Sequence, residues 1–238
     1  MAGVPALDVE HLSAGYGKVT VIHDLSLSVP EGAVVALLGP NGVGKTSTLG
    51  ALTGTVRASG GAIRLFGERI DGLSSYHRAK RGLVLVPEGR GIFPGLSVGE
   101  NLELAAESAQ GVDVGWRRRQ LARVHEMFPA LGGRLKQRSG TLSGGEQQML
   151  AMSRAFLGNP KVLMMDEISA GLAPLIVQML YDAVEELKSD GMTIVLVEQY
   201  LSYALRLADI CYVMAKGSVT FIGEPAELQG AGAGLSYL

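Results

Sequence analysis

One cysteine, Cys211, is all that 238 residues contain, so no internal disulfide can form. The N-terminus lacks the sequence of basic stretch, apolar core and small-residue cleavage site that marks an export signal. Together these point to a reducing, cytosolic setting. Long apolar runs are missing too: stretches such as Ala33–Leu38 and Thr193–Val197 fall far short of the roughly 18 residues that a membrane-spanning helix needs. Any contact with a membrane must therefore pass through a partner. There is no excess of either charge, with 21 basic and 23 acidic residues giving a net −2, so no overall field draws a polyanion and nucleic acid is not favoured as a partner. The four histidines, His11, His23, His77 and His125, match no metal-ligand spacing and read as structural or solvent-facing.

Glycine is abundant. Its 33 residues exceed the roughly 7% of average composition, yet they lie at turns and in one loop, not in repeats. The length suits one large domain, or a core with a small inserted lobe. Leu7–Leu12 and Val19–Val29 read as paired strands opening an antiparallel layer. Ala33–Leu38 reads as a buried strand feeding a glycine loop, and Lys45–Leu52 as the helix after it, closed near Gly54. Ile63–Phe66 is a short strand, while Leu83–Pro87, Val162–Asp166 and Thr193–Glu198 are apolar runs suited to a parallel sheet covered on both faces. From Gly89 to Gly140 strand patterns vanish, and Val98–Glu107 and Trp116–Phe128 carry helical spacing; Arg117-Arg118-Arg119 reads as a solvated helix face. Ser143–Leu157 and Pro174–Ser189 are further helices, with Pro174 suited to a first turn. Cys211–Gly223 reads as a closing hairpin around Lys216-Gly217, and Gly230–Gly234 as a loose tail.

Three motifs carry chemistry. In Gly39-Pro40-Asn41-Gly42-Val43-Gly44-Lys45-Thr46-Ser47 the glycines let backbone N–H groups turn inward around phosphate oxygens, at the positive end of the following helix. Lys45 would reach β and γ phosphates, and the Thr46 hydroxyl would ligate Mg²⁺. This pattern alone does not choose among the many families that share it. Asp166 and Glu167 emerge at the C-terminal end of an apolar strand, where open α/β sheets bind ligands. Asp166 would hold Mg²⁺ through water, and Glu167 would polarise the water that attacks the γ phosphate. Finally, Leu142-Ser143-Gly144-Gly145-Glu146-Gln147 places Ser143 at a helix start 23 residues before Asp166. That is a second anion site, which makes sense if it covers a nucleotide held by another protomer. Ser143 also suits an ordinary N-cap.

In this order, over nearly the whole chain, the motifs resemble those of ABC transporter ATPase subunits. Val86-Pro-Glu-Gly-Arg90 with Ile92-Phe93-Pro94, Gly171-Leu-Ala-Pro174 and Val197-Glu-Gln199 further resemble the LivF type found in branched-chain amino-acid importers. The resemblance implies an α/β P-loop NTPase fold of ABC type, with a mixed-sheet core, an antiparallel β layer and an inserted helical subdomain. It implies a single domain, 1–238, with core segments 1–88 and 141–238 and a helical lobe at about 89–140. It implies ATP and Mg²⁺ as ligands and hydrolysis in a head-to-tail dimer. The implied partners are a second ATPase subunit (a paralogue or self), two transmembrane permeases and, indirectly, a solute-binding protein, on the inner face of the cell membrane. By position Tyr16 would stack on adenine, Ser143, Gly144, Gly145 and Glu146 would contact the partner's nucleotide, and Glu88 would hold the lid position, near the metal, usually given to glutamine. Gln199 would sit at the catalytic switch usually given to histidine. Ile168 stands where the family usually has proline, and Gly91 and Gly95 where it commonly has basic residues. An importer of urea or short amides, a soluble non-transport ABC ATPase and a nucleotide-binding module with little hydrolysis are the alternatives.

Overall fold

The computed structural model describes residues 3–198 and 201–230. Gln199 and most of the glycine-rich tail thus lie outside the described residues. The chain runs β1 (Leu7–Tyr16), β2 (Val19–Val29), β3 (Val34–Leu38), α1 (Lys45–Thr53), β4 (Arg57–Leu65), β5 (Glu68–Arg69), α2 (Ser75–Lys80) and β6 (Leu83–Val86). Four helices follow: α3 (Val98–Ser108), α4 (Val114–Met127), α5 (Pro129–Gly132) and α6 (Gly144–Leu157). Then come β7 (Val162–Asp166), α7 (Pro174–Ser189), β8 (Thr193–Val197), α8 (Leu201–Leu207), β9 (Ile210–Ala215), β10 (Ser218–Gly223) and α9 (Pro225–Gly230).

Two sheets form. One is antiparallel, in the order β2-β1-β4-β5; the other is mixed, in the order β10-β9-β3-β8-β7-β6. In the mixed sheet β9, β3, β8, β7 and β6 are parallel, and β10 closes the edge as a hairpin with β9. The five residues of β3, β7 and β8 are all buried, which explains their continuous apolar sequences: each strand feeds two cores by period-two alternation. Val35, Leu37, Met164 and Val195 face a core shared with α1 and the antiparallel sheet, whereas Ala36, Leu38, Met165 and Leu196 face the core under the helices. Among the described residues no helix is long and apolar enough to cross a membrane.

The structure departs from the sequence expectations in three places. The strand expected at Ile63–Phe66 is the second half of β4, which starts at Arg57; Gly60 and Gly61 had masked the first half, and Phe66 itself leaves the strand at φ 48°. β1 runs on to Tyr16 across register shifts. The short helices α2, α8 and α9 are not expected from the sequence, because six or seven residues carry too little periodicity to be read. α2 is instead anchored by Arg78, buried to 4% exposure, whose guanidinium donates to the Ala51 and Leu52 carbonyls of α1 (both 2.7 Å) and to Leu73 and Asp71 carbonyls. The last carbonyls of a helix need such donors.

Candidate functional site

β3 ends at Leu38 and α1 starts at Lys45, so the glycine loop spans the C-terminal edge of the mixed sheet. Gly39, Gly42 and Gly44 have φ of 147°, 79° and 108°, the left-handed region that costs an L side chain energy and glycine none. At Gly39 the space is closed as well, since a Cβ would lie 2.5 Å from the Met214 carbonyl oxygen. The loop wraps Lys45, only 5% exposed, whose Nζ donates to the carbonyls of Gly39 (2.7 Å) and Pro40 (3.0 Å). Lys45 Nζ also lies 3.8 Å from Glu167 Oε1.

β7 lies one strand beyond β8 from β3, and its end brings Asp166 and Glu167 to the same edge. Asp166 is buried, and among the described residues its Oδ1 accepts no hydrogen bond. Burial pushes its carboxyl up to about 6. The negative charges of Glu167 and Glu88 act in the same direction, while a hydrogen bond from Thr46 and the charge of Lys45 oppose it. Glu167 is 15% exposed and has φ 46°, a strained left-handed conformation for a non-glycine residue; its N–H donates to the Val197 carbonyl at 2.9 Å.

A cleft of about 280 Å³ is lined by Val21, Asn41, Gly42, Gly44, Lys45, Thr46, Ser47, Glu88 and Glu167. The structure thus brings the glycine loop, Glu88 and Glu167 to one place, with Asp166 buried beside Thr46. Tyr16, at the end of β1, is 56% exposed, and its hydroxyl is 3.4 Å from Ser47 Oγ, so it stands beside the loop. None of Ser143–Glu146 lines this cleft. Ser143 caps α6 in a reciprocal box: its Oγ accepts from the Glu146 N–H (3.3 Å), and the Glu146 carboxylate accepts from the Ser143 N–H (2.8 Å). Glu146 is also held by Arg134 at 2.7 Å, so that carboxylate is engaged within its own chain, while the other N–H groups of the first turn are of the kind helix starts offer to anions. Gly145 has to be glycine for packing, since a Cβ there would meet Ile176 at 2.8 Å.

Sequence reasoning missed two features near these motifs. Arg90 donates to Gln147 of α6, tying the loop after β6 to the serine-glycine motif. Ser169 donates to Glu198 in the interior. An arginine in a loop and a carboxylate after a strand carry no local pattern that would pair them with residues so distant in sequence. Two histidines find polar neighbours, His11 with Asp24 and His77 with Ser74.

The ABC transporter family matches residues 22–170. The high-affinity branched-chain amino acid transport ATP-binding protein BraG of Pseudomonas aeruginosa is 43% identical over 222 residues, 93% of this chain and 94% of that protein. The probable branched-chain amino acid transport ATP-binding protein LivF of Archaeoglobus fulgidus is 35% identical over 218 residues, 91% of each. Among solved structures, an ATP-binding subunit of an ABC transporter superposes with a TM-score of 0.85 at 30% identity, over 96% of this chain and 94% of that one.

Proposed function

The chain belongs to the ABC transporter family and is an ATPase, and from that premise we propose that it drives a membrane importer of branched-chain amino acids. The observation that carries this reading is the division of anion-binding features on one chain: the cleft around Lys45 and Glu167, and the start of α6 outside it. Two such half-sites suit a head-to-tail pair in which Ser143, Gly144, Gly145 and Glu146 of one protomer cover the nucleotide held by the other. The solute is argued from the branched-chain amino acid transport relatives at 43% and 35% identity.

In this reading Lys45 and the N–H groups of Gly39–Ser47 hold the β and γ phosphates, with Tyr16 stacked on adenine. Mg²⁺ fits the donors present: Asp166 offers an oxygen with no hydrogen-bond partner among the described residues and Thr46 a neighbouring hydroxyl, both hard ligands. Thr46 and Asp166, with Glu88 at the rim, would hold it, and when bound it neutralises charge on the phosphate oxygens. Glu167 accepts a proton from the water whose oxygen attacks the γ phosphorus, releasing ADP and inorganic phosphate. Gln199 would complete the catalytic switch. The segment at about 89–140 acts as a helical lobe that passes the motion on. As an ABC transporter ATPase the chain works with membrane permease components; we assign it a second ATPase subunit, two permeases and the inner face of the cell membrane.

Uptake decides the solute. In the native host, deleting the gene should abolish accumulation of labelled leucine, isoleucine and valine and leave urea and acetamide uptake intact, with rescue by the wild-type gene and not by Glu167→Gln. Loss of urea or acetamide uptake instead would overturn the assignment.

A further inference from the structure

Glu167 needs a device to hold it, because its backbone sits at φ 46° and would relax from that strained well if its neighbours let go. One restraint is the bond from its N–H to the Val197 carbonyl. Two residues on, Ser169 supplies another: its hydroxyl donates to Glu198 Oε2 at 2.7 Å, with Ser169 1% and Glu198 2% exposed. The loop from 167 to 169 is therefore fastened at both ends to consecutive residues, Val197 and Glu198, at the end of β8. Between them Ile168 is buried in the core under the helices.

A carboxylate is a costly choice of acceptor in such a place, because burying it forfeits hydration that only strong hydrogen bonds offset. A charged acceptor makes a bond roughly twice as strong as a neutral one, and here that strength is applied to the loop bearing Glu167. The surroundings are rigid. Tyr181 of α7 is fully buried and stacks on Tyr203 of α8, with ring centroids 4.2 Å apart and planes 1° from parallel, so the helix after Glu198 is bolted to the helix after the 167–173 loop. Burial and the nearby Glu198 charge both push the Tyr181 phenol far above its ordinary value.

We propose that Ser169 and Glu198 form a positioning pair for hydrolysis: their bond fixes the loop so that Glu167 faces the attacking water, without touching the nucleotide. The proposal rests on the reading of Glu167 as the general base. A small misplacement of a reacting group costs about 10²-fold in rate, so losing one of two restraints should lower kcat about tenfold or more and leave nucleotide binding alone.

The test is steady-state ATPase kinetics and nucleotide calorimetry of the full chain assembled with its cognate transporter subunits. Ser169→Ala and Glu198→Ala should lower kcat with KM and ATP affinity unchanged. Glu198→Gln, which keeps an oxygen to accept the Ser169 proton, should recover most of the lost rate, and Ser169→Thr should do the same for its position. The double alanine variant should be no slower than the slower single one, as expected of a coupled pair. If Glu198→Ala fails to fold, the contrast of Ser169→Ala with Ser169→Thr decides. Alanine variants as fast as wild type beside an inactive Glu167→Gln would overturn the pair alone, as would glutamine being no better than alanine at 198, or kcat and affinity falling together. A Glu167→Gln variant that turns over like wild type would remove the base assignment itself, and the pair with it.

Discussion

Asp166→Asn should make the metal-free protein more stable while stopping its chemistry. Asp166 is 2% exposed, and its carboxyl is raised from the ordinary 3.8 to about 6, first by burial and then by Glu167 and Glu88. A group whose folded value lies above its unfolded one binds protons better in the folded state. Its favourable contribution is full below about pH 3.8 and is lost as pH rises through about 6, so at pH 8 the folded protein carries a buried charge that the unfolded chain would hydrate. The difference corresponds to about 3 kcal/mol, at about 1.4 kcal/mol per tenfold in proton affinity. Asparagine copies the neutral carboxyl in shape and does not titrate. In excess chelator, Asp166→Asn should therefore melt with wild type near pH 4 and above it at pH 8, by about 6–12 °C for a chain of this size. Scanning calorimetry from pH 4 to 8 measures this, and ATPase activity should fall to background at every pH. Equal melting temperatures at pH 8, or a gap that does not change between pH 4 and 8, would refute the electrostatic argument.

Three further outcomes are expected. Lys45→Ala should weaken ATP binding by about 100-fold or more, since charge-assisted hydrogen bonds to two phosphates are lost at about 1.5–3 kcal/mol each; titration calorimetry measures it, and circular dichroism should show the fold unchanged. Glu167→Gln should bind ATP, barely turn it over and accumulate a closed dimer, which size-exclusion chromatography with ATP and Mg²⁺, alone and with the cognate ATPase subunit, would detect; a monomer under both conditions would defeat the head-to-tail assignment. Arg78→Met should cost about 3–5 kcal/mol in urea unfolding, because it strands buried carbonyls at the end of α1 that a charged donor now satisfies, and a loss below about 1 kcal/mol would show that these carbonyls find other partners.

The local elements that could be read in advance were those whose physics is local. Glycines at 39, 42 and 44 before Lys45 announce a tight loop leading into a helix because the left-handed backbone they adopt is itself a property of residue type. Val162–Asp166 states a buried parallel strand because apolarity on both faces needs no partner to be recognised. Ser143 and Glu146, three residues apart, announce the capped start of α6 for the same reason. Tertiary structure decided whatever depends on which distant residues meet. It set Asp166 beside Thr46 in a dry place and thereby raised its carboxyl, it placed Tyr16 next to Ser47 across 31 positions, and it put the serine-glycine motif outside the cleft lined by the glycine loop. It built α2 around Arg78, whose four backbone acceptors come from two separate stretches of chain. It also joined Ser169 to Glu198 across 29 positions. Sequence specifies the conformations open to each short segment; the free energy of a buried charge or a strained backbone is set by neighbours that only the folded chain brings within reach.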